Sequence, residues 1–156
     1  MSEWDKDYSK VDKIQALVKK LSRRGVCWLG EISDVGLSSR PLETARRAGL
    51  NPPPDLLLAE VSLSVASRVI SYGCFNSLAH GERRYREGAA REALAALREL
   101  GPETAFWANE PYIDFSDQQG SAKICAAGRM TQSTFEVGVI AASPRMGFIW
   151  WRTEED

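Results

Sequence analysis

The chain has 156 residues, of which 44% are hydrophobic and 26% are charged, and these values predict one soluble globular domain with its own core. The formal net charge is −1, so the overall charge gives no sign of a polyanionic partner such as nucleic acid. The sequence has no run of 18 apolar residues, and its charged N-terminus lacks the apolar segment of a secretion signal. We therefore expect a cytoplasmic protein that does not enter a membrane.

The first third of the chain predicts a helix, a strand and a long connection. Apolar residues recur at helical spacing over residues 9–24, and Gly25 follows them, which predicts an amphipathic helix that ends at this glycine. A short strand is predicted over residues 26–32. Residues 33–54 read as a connection with one or two helical turns over 41–48, and three consecutive prolines close it.

Residues 55–72 carry two conflicting patterns. Strict alternation of apolar and polar residues over 59–65 predicts a strand. The whole stretch, however, shows polar residues at helical spacing and has no turn signal over 18 residues, which favours a helix. We predict a helix here and a further amphipathic helix over residues 82–100, which stops at a Gly-Pro pair.

The last third of the chain predicts antiparallel sheet. Apolar and polar residues alternate from Phe135 to Val139, the period of a strand with one buried face. Trp150 and Trp151 are adjacent in a strand and must point to opposite faces. The predicted strands cover residues 104–116, 121–130, 134–142 and 146–152. The fold class is therefore α+β: an antiparallel sheet of about five strands, ending in a C-terminal meander, with two to three helices packed on one face. We assign residues 1–156 to this one domain and expect residues 153–156 to form a frayed tail.

The sharpest charge asymmetry lies in residues 103–117, which contain four acids and no base. Aromatic residues beside acids are typical of a protein-binding surface, because the acids steer a basic partner and the aromatics anchor it. The residues predicted to bind a partner are Trp107, Glu110, Tyr112, Asp114 and Asp117. The leading hypothesis is a non-catalytic protein-binding protein, such as an inhibitor or an immunity-type protein that neutralises a basic toxin.

A second hypothesis is a small-molecule-binding or enzymatic α+β roll with a pocket between helices and sheet. The residues that would line this pocket are His80, Tyr85, Trp107 and Asp114. Against catalysis, the chain has a single histidine and lacks the common nucleotide-binding and hydrolase motifs. The sequence leaves the choice between an enzyme and a binding protein open and favours the latter.

Two basic clusters suggest a third hypothesis, anion or nucleic-acid binding. They consist of Arg83, Arg84 and Arg86 at a predicted helix start, and of Lys19, Lys20, Arg23 and Arg24 at a predicted helix end. No recognised nucleic-acid motif accompanies them, so the sequence disfavours nucleic acid as a partner. Self-association into a homo-oligomer stays open.

The three cysteines predict neither a metal site nor a disulfide framework. They are far apart, lack a C-x-x-C pair and each lie among apolar neighbours: Cys27, Cys74 and Cys125. This pattern predicts small buried thiols. The chain has one histidine and no C-x-x-C pair, so it lacks the usual spacing of zinc ligands. We therefore expect no metal and no cofactor.

Overall fold

The structure is a computed structural model that describes residues 3–54, 56, 58–75, 87–109, 113–114, 123–124, 130–131 and 135–154. Its helices are α1 (Glu3–Leu21), α2 (Arg40–Arg47), α3 (Leu63–Phe75) and α4 (Glu87–Arg98), with a 3₁₀ turn at Leu37–Ser39. Its strands are β1 (Val26–Glu31), β2 (Leu58–Val61), β3 (Ala105–Asn109), β4 (Ile113–Asp114), β5 (Lys123–Ile124), β6 (Phe135–Ala142) and β7 (Met146–Glu154).

Five of these strands form one antiparallel sheet in the order β1-β7-β6-β3-β2, and β4 pairs separately with β5. Strands β6 and β7 are joined by a tight turn in which the Ser143 N–H donates to the Met146 carbonyl oxygen over 2.9 Å. The α+β class and the antiparallel sheet with its C-terminal meander are thus confirmed.

Helices α1, α3 and α4 pack on one face of the sheet, as predicted. Their apolar side chains form one core cluster with the inward residues of β3, β6 and β7, among them Phe106, Val139 and Trp150. The opposite face is covered as well, by α2 and by apolar residues of the connection that follows it. The sheet therefore has a core on both sides.

The prediction of a single buried face for the strand at 135–139 is wrong. Val137 and Val139 point towards α3, while Gly138 and Ile140 point towards α2, and Val137, Val139 and Ile140 are all almost inaccessible. A central strand of a sheet that is covered on both faces has no solvent side. Trp150 and Trp151 do point to opposite faces, and both are fully buried because each face has its own cluster.

The ambiguous stretch 55–72 contains a strand and a helix in succession. Strand β2 covers the first part of the alternating segment, and α3 starts directly after Ser62. The Ser62 side chain accepts the Val65 N–H over 3.1 Å, and its carbonyl oxygen accepts the Ala66 N–H over 2.9 Å, which is the geometry of a helix N-cap. The prediction of a helix was wrong for residues 58–61 and confirmed for residues 63–72.

The element boundaries differ from the predicted ones at a few points. Helix α1 ends at Leu21, three residues before the predicted end. Strand β7 continues through Thr153 and Glu154, which pair with Glu136 and Phe135 although they were expected to fray. The predicted helix over 82–100 is confirmed over Glu87–Arg98, and residues 82–86 lie outside the described residues. None of the helices in the described ranges is long and apolar enough to cross a lipid bilayer.

Candidate functional site

Trp107 lies in the middle of β3, where it is directly opposite Ile140 of β6 on one side and Glu60 of β2 on the other. Residues directly opposite each other in an antiparallel pair point to the same face of the sheet and have Cβ atoms about 5 Å apart. The Trp107 side chain is half-buried and packs against the cluster that contains Ile140, whereas Glu60 is exposed. An aromatic ring fixed to the core therefore lies beside an exposed carboxylate.

This pair lies at an edge of the sheet, because β2 is its outermost strand. Among the described residues, no strand pairs with the outer side of β2, and a free sheet edge is a common place for a second protein to bind. The exposed Glu60 carboxylate and the accessible part of Trp107 thus form a small surface of one acid and one large aromatic side chain. We call this pair the Trp107 surface.

Glu60 was missed as a candidate because its role depends on the pairing of β2 with β3. The two strands are separated by more than 40 residues, and the sequence contains no signal for their register. The alternation from Ala59 to Val65 was the available clue, since a strand there places Glu60 on the face opposite that of Val61.

Of the five residues predicted to bind a partner, the structure places Trp107 fully and Asp114 in part. Asp114 lies in β4 opposite Lys123, and its side chain is not among the described ones. The other three, Glu110, Tyr112 and Asp117, lie outside the described residues. The position of the acidic segment relative to Trp107 therefore stays a prediction.

Of the four residues predicted to line a pocket between helices and sheet, the structure places Trp107 fully and Asp114 in part, whereas His80 and Tyr85 lie outside the described residues. Trp107 points away from α1, α3 and α4, because Phe106 is the residue of β3 that faces these helices. On that side, the described side chains of Tyr72, Leu97 and Trp150 are fully buried in a packed core. Trp107 therefore faces the layer of α2 and not that core, and a pocket lined by the four residues stays a prediction.

A buried polar cluster closes the end of the sheet near Asn109. The carboxylate of Glu136 accepts the Thr131 N–H over 3.1 Å, the Thr131 hydroxyl over 2.6 Å and the Met130 N–H. The Asn109 side-chain amide donates to the Glu136 carbonyl oxygen over 3.1 Å. Because this carboxylate is buried and satisfied by three donors, it anchors residues 130–131 to β6, and we assign it a structural role.

The two described cysteines are free thiols held in the core between β1 and α3. Cys74 is buried and Cys27 is half-buried. Burial raises the pKa of the Cys27 thiol to about 12 and that of the Cys74 thiol to about 11. Since only the thiolate is nucleophilic, neither group is prepared for catalysis at neutral pH. The prediction of buried thiols holds for these two, and Cys125 lies outside the described residues.

Native Cys27 and Cys74 are expected to react slowly with a thiol reagent such as DTNB at pH 8. An increase of about two units in pKa lowers the thiolate fraction roughly 100-fold relative to the unfolded chain, and burial slows access further. The measurement compares labelling in buffer and in urea on a Cys125→Ser background. Equal rates in the two conditions would contradict the assignment of both thiols to the core.

The same shifts predict how stability changes at high pH. Both thiols have a higher pKa in the folded state, so the unfolded chain loses these protons first as the pH rises above 9.0. Their contribution to stability is therefore complete below about pH 9 and declines above it, up to about pH 11 for Cys74 and about pH 12 for Cys27.

The described residues also show no place for a metal ion: no three of their His, Cys, Asp or Glu side chains lie close enough together to hold one. Comparisons with protein-family models, curated proteins and solved structures found no match for the chain.

Proposed function

We propose that the protein acts without catalysis by binding a basic protein through the Trp107 surface, in the manner of an inhibitor or an immunity-type protein. The observation that carries this proposal is the position of half-buried Trp107 directly opposite exposed Glu60 at the edge of the sheet. Tryptophan is among the residues that contribute most to protein–protein binding, and a neighbouring carboxylate selects for a positively charged partner group.

An arginine side chain of the partner suits this pair best. Its planar guanidinium can stack on an indole ring and at the same time donate to a carboxylate in a forked arrangement. Lysine can pair with Glu60 but lacks the planar group that stacks on Trp107. The proposal therefore names a partner surface with an arginine at its centre.

The acidic segment after β3 supports the same class of partner. Glu110 follows Trp107 by three residues, so the chain holds its Cα within about 11 Å of that of Trp107. Asp114 and Asp117 add two further negative charges to the segment, which contains no base. Such a local excess of acids speeds the association of a basic partner and makes it sensitive to salt.

The packing beneath the surface favours binding at low entropic cost. Trp107 packs against the cluster beneath α2, which contains its cross-strand neighbour Ile140 and the fully buried Trp151. A side chain already held in place loses less conformational freedom when a partner covers it. The surface thus has an aromatic anchor that is held in place beside the exposed Glu60 carboxylate.

The test is co-purification from extracts of the native cell with the full tagged chain as bait. We expect a basic protein to be captured in near-stoichiometric amount and to be lost with Glu60→Lys in a 150 mM salt wash. The matched control is Glu31→Lys, which reverses an exposed acid on β1, the strand at the other edge of the same sheet. Both variants change an exposed side chain of an edge strand, so their folded states should be equally stable.

Capture of the same basic protein by wild type, Glu31→Lys and Glu60→Lys alike would reject the Trp107 surface. Failure of the wild-type chain to capture any basic protein would reject the proposed function itself.

A further inference from the structure

Strand β1 is the outermost strand at the edge of the sheet opposite β2, and within the described ranges no strand pairs with its outer side. Its residues 26–30 include neither a charged residue nor a proline. Sheet edges are usually protected by such residues, by a bulge or by a covering element, because a free edge can pair with another strand. Val26 is 37% exposed, and residues 27–30 are half-buried. The edge of β1 is therefore uncharged and partly accessible along most of its length.

A hydrogen bond at the end of β1 shows which of its backbone groups face outwards. The Ile32 N–H donates to the carbonyl oxygen of Arg145, in the turn before β7, over 2.8 Å. In an antiparallel pair, the N–H and C=O groups of one residue point to the same side, and successive residues alternate between the two sides. The backbone groups of alternate residues, Cys27, Leu29 and Glu31, therefore point away from β7.

Arg47 closes one end of this outer edge. Its Nη1 donates to the Glu31 carbonyl oxygen over 2.6 Å, and its Nη2 forms an ion pair with Asp34 over 2.9 Å. The Glu31 carbonyl thus points outwards, as the alternation requires, and already has a donor. The outward groups that stay open to a further strand are the N–H and C=O groups of Cys27 and Leu29.

We propose that β1 pairs with β1 of a second copy of this chain, in an antiparallel dimer with its two-fold axis at Trp28. Cys27 of each copy then lies opposite Leu29 of the other, so that every outward N–H and C=O group of these two residues is used. A two-fold arrangement is closed and gives a dimer, not a fibre. A register with the axis at Leu29 would need the Glu31 carbonyl oxygen, where the Arg47 guanidinium lies.

Trp28 suits a position at the axis. Residues opposite each other there form a non-hydrogen-bonded pair, in which the side chains of the two strands are closest. The Trp28 ring lies over Gly30 of its own strand, since a Cβ built on Gly30 would collide with the ring. The ring therefore follows its own strand and leaves the edge open to the second copy. Pairing shields the two half-buried rings further from water.

The charges at the two ends of β1 are complementary in this arrangement, which favours a second copy over an unrelated strand. Exposed Arg23 precedes the strand and exposed Glu31 ends it. The Glu31 carboxylate accepts the Ser33 hydroxyl over 2.9 Å, a bond that leaves its negative charge in place. With the axis at Trp28, Gly25 lies opposite Glu31 of the second copy. Arg23 is two residues from Gly25, so the Cα atoms of Arg23 and that Glu31 are within about 12 Å, a span that the two side chains can bridge.

Sedimentation velocity on the full chain between about 5 and 500 µM tests this inference. We expect a reversible monomer–dimer equilibrium in this range, because two short strands bury little area and small interfaces are weak. Arg23→Glu and Glu31→Lys should each weaken the dimer roughly tenfold, since each makes two symmetry-related ion pairs repulsive. The double variant should regain most of the affinity. The matched control is Arg91→Glu, which reverses an exposed arginine of α4 and should leave the dimer unchanged.

Disulfide cross-linking on a Cys125→Ser background tests the register. Trp28→Cys should form a covalent dimer under mild oxidation, because opposite residues of a non-hydrogen-bonded pair have Cα atoms about 4.5 Å apart. The matched control is Val26→Cys, on the same face of the strand. It should cross-link at least roughly tenfold more slowly, because this register separates the two copies of residue 26 by about 13 Å along the strands.

A chain that stays monomeric over the whole concentration range would overturn the inference. So would a dimer whose affinity is unchanged by both charge reversals, or cross-linking of Val26→Cys as fast as that of Trp28→Cys. Because β1 and β2 lie at opposite edges of the sheet, the dimer leaves the Trp107 surface exposed, and none of these results decides the proposed function.

Discussion

Replacement of Trp150 with alanine is expected to lower the free energy of unfolding by about 3–5 kcal/mol. Trp150 is fully buried between β7 and α3, and its ring lies so close to Gly73 that a Cβ there would be 2.6 Å from Cη2 of the indole. Removal of the ring leaves a cavity that a sheet and three packed helices cannot collapse to fill. Urea denaturation followed by circular dichroism measures the loss.

The matched replacement on the other face is Trp151→Ala, and it should have an effect of similar size. Trp151 is as buried as Trp150, although the layer that covers it consists of one short helix and a connection. Trp107→Ala should cost less than either, because Trp107 is half-buried. A loss below about 1 kcal/mol for Trp151→Ala would show that the layer beneath α2 is not a true core.

Gly138→Ala is expected to destabilise the protein by about 3 kcal/mol, the upper part of the usual range for overpacking. A Cβ at this position would collide with the Trp151 ring and would lie 2.7 Å from the Trp150 carbonyl oxygen. The obstacle is a buried ring and a backbone atom in the centre of the sheet, neither of which can move away easily.

Gly88→Ala is the control for this substitution. Nothing lies within 4 Å of a Cβ at position 88 in α4, so alanine should be neutral or should stabilise the helix by up to about 1 kcal/mol. The cause of the effect at Gly138 can be tested with Trp151→Leu, since the double variant should lose much less than the sum of the two single losses. Additive losses would contradict the proposed contact between Gly138 and the Trp151 ring.

The fold class could be predicted because local patterns carry it. Helical spacing in α1 and α4 and strand alternation in β6 are each visible within about ten residues. Trp150 and Trp151 are adjacent in a strand, so their side chains were expected on opposite faces of the sheet. These features need no knowledge of which strands pair.

The second covering layer was harder to foresee because α2 buries a charged residue. Arg40 is 8% exposed, and it donates from Nε to the Val35 carbonyl oxygen over 2.9 Å and from Nη1 to the Ser143 carbonyl oxygen over 2.6 Å. From sequence, an arginine at this position indicates solvent. Its burial depends on a carbonyl group more than 100 residues away.

The candidate site was only partly predictable for the same reason. Trp107 was identified from its acidic neighbours in sequence, but Glu60 joins it through strand pairing. The alternation of residues 135–139 assigned Glu136 to a solvent face. The side chain is buried instead, because donors of Met130 and Thr131 replace the hydrogen bonds that its carboxylate would make with water. Local sequence patterns thus predicted the helices and strands. Which side chains of different strands lie next to each other could not be predicted, because that depends on the register of the sheet.

The binding constant between the chain and its captured basic partner, measured by calorimetry for the wild type and for Trp107→Ala, tests the proposed function most directly. The proposed function predicts that Trp107→Ala weakens binding by roughly 30-fold or more, the effect of losing an aromatic anchor, while the variant keeps its folded circular dichroism spectrum. A binding constant within about threefold of the wild-type value would contradict it, because rim residues have effects of that size.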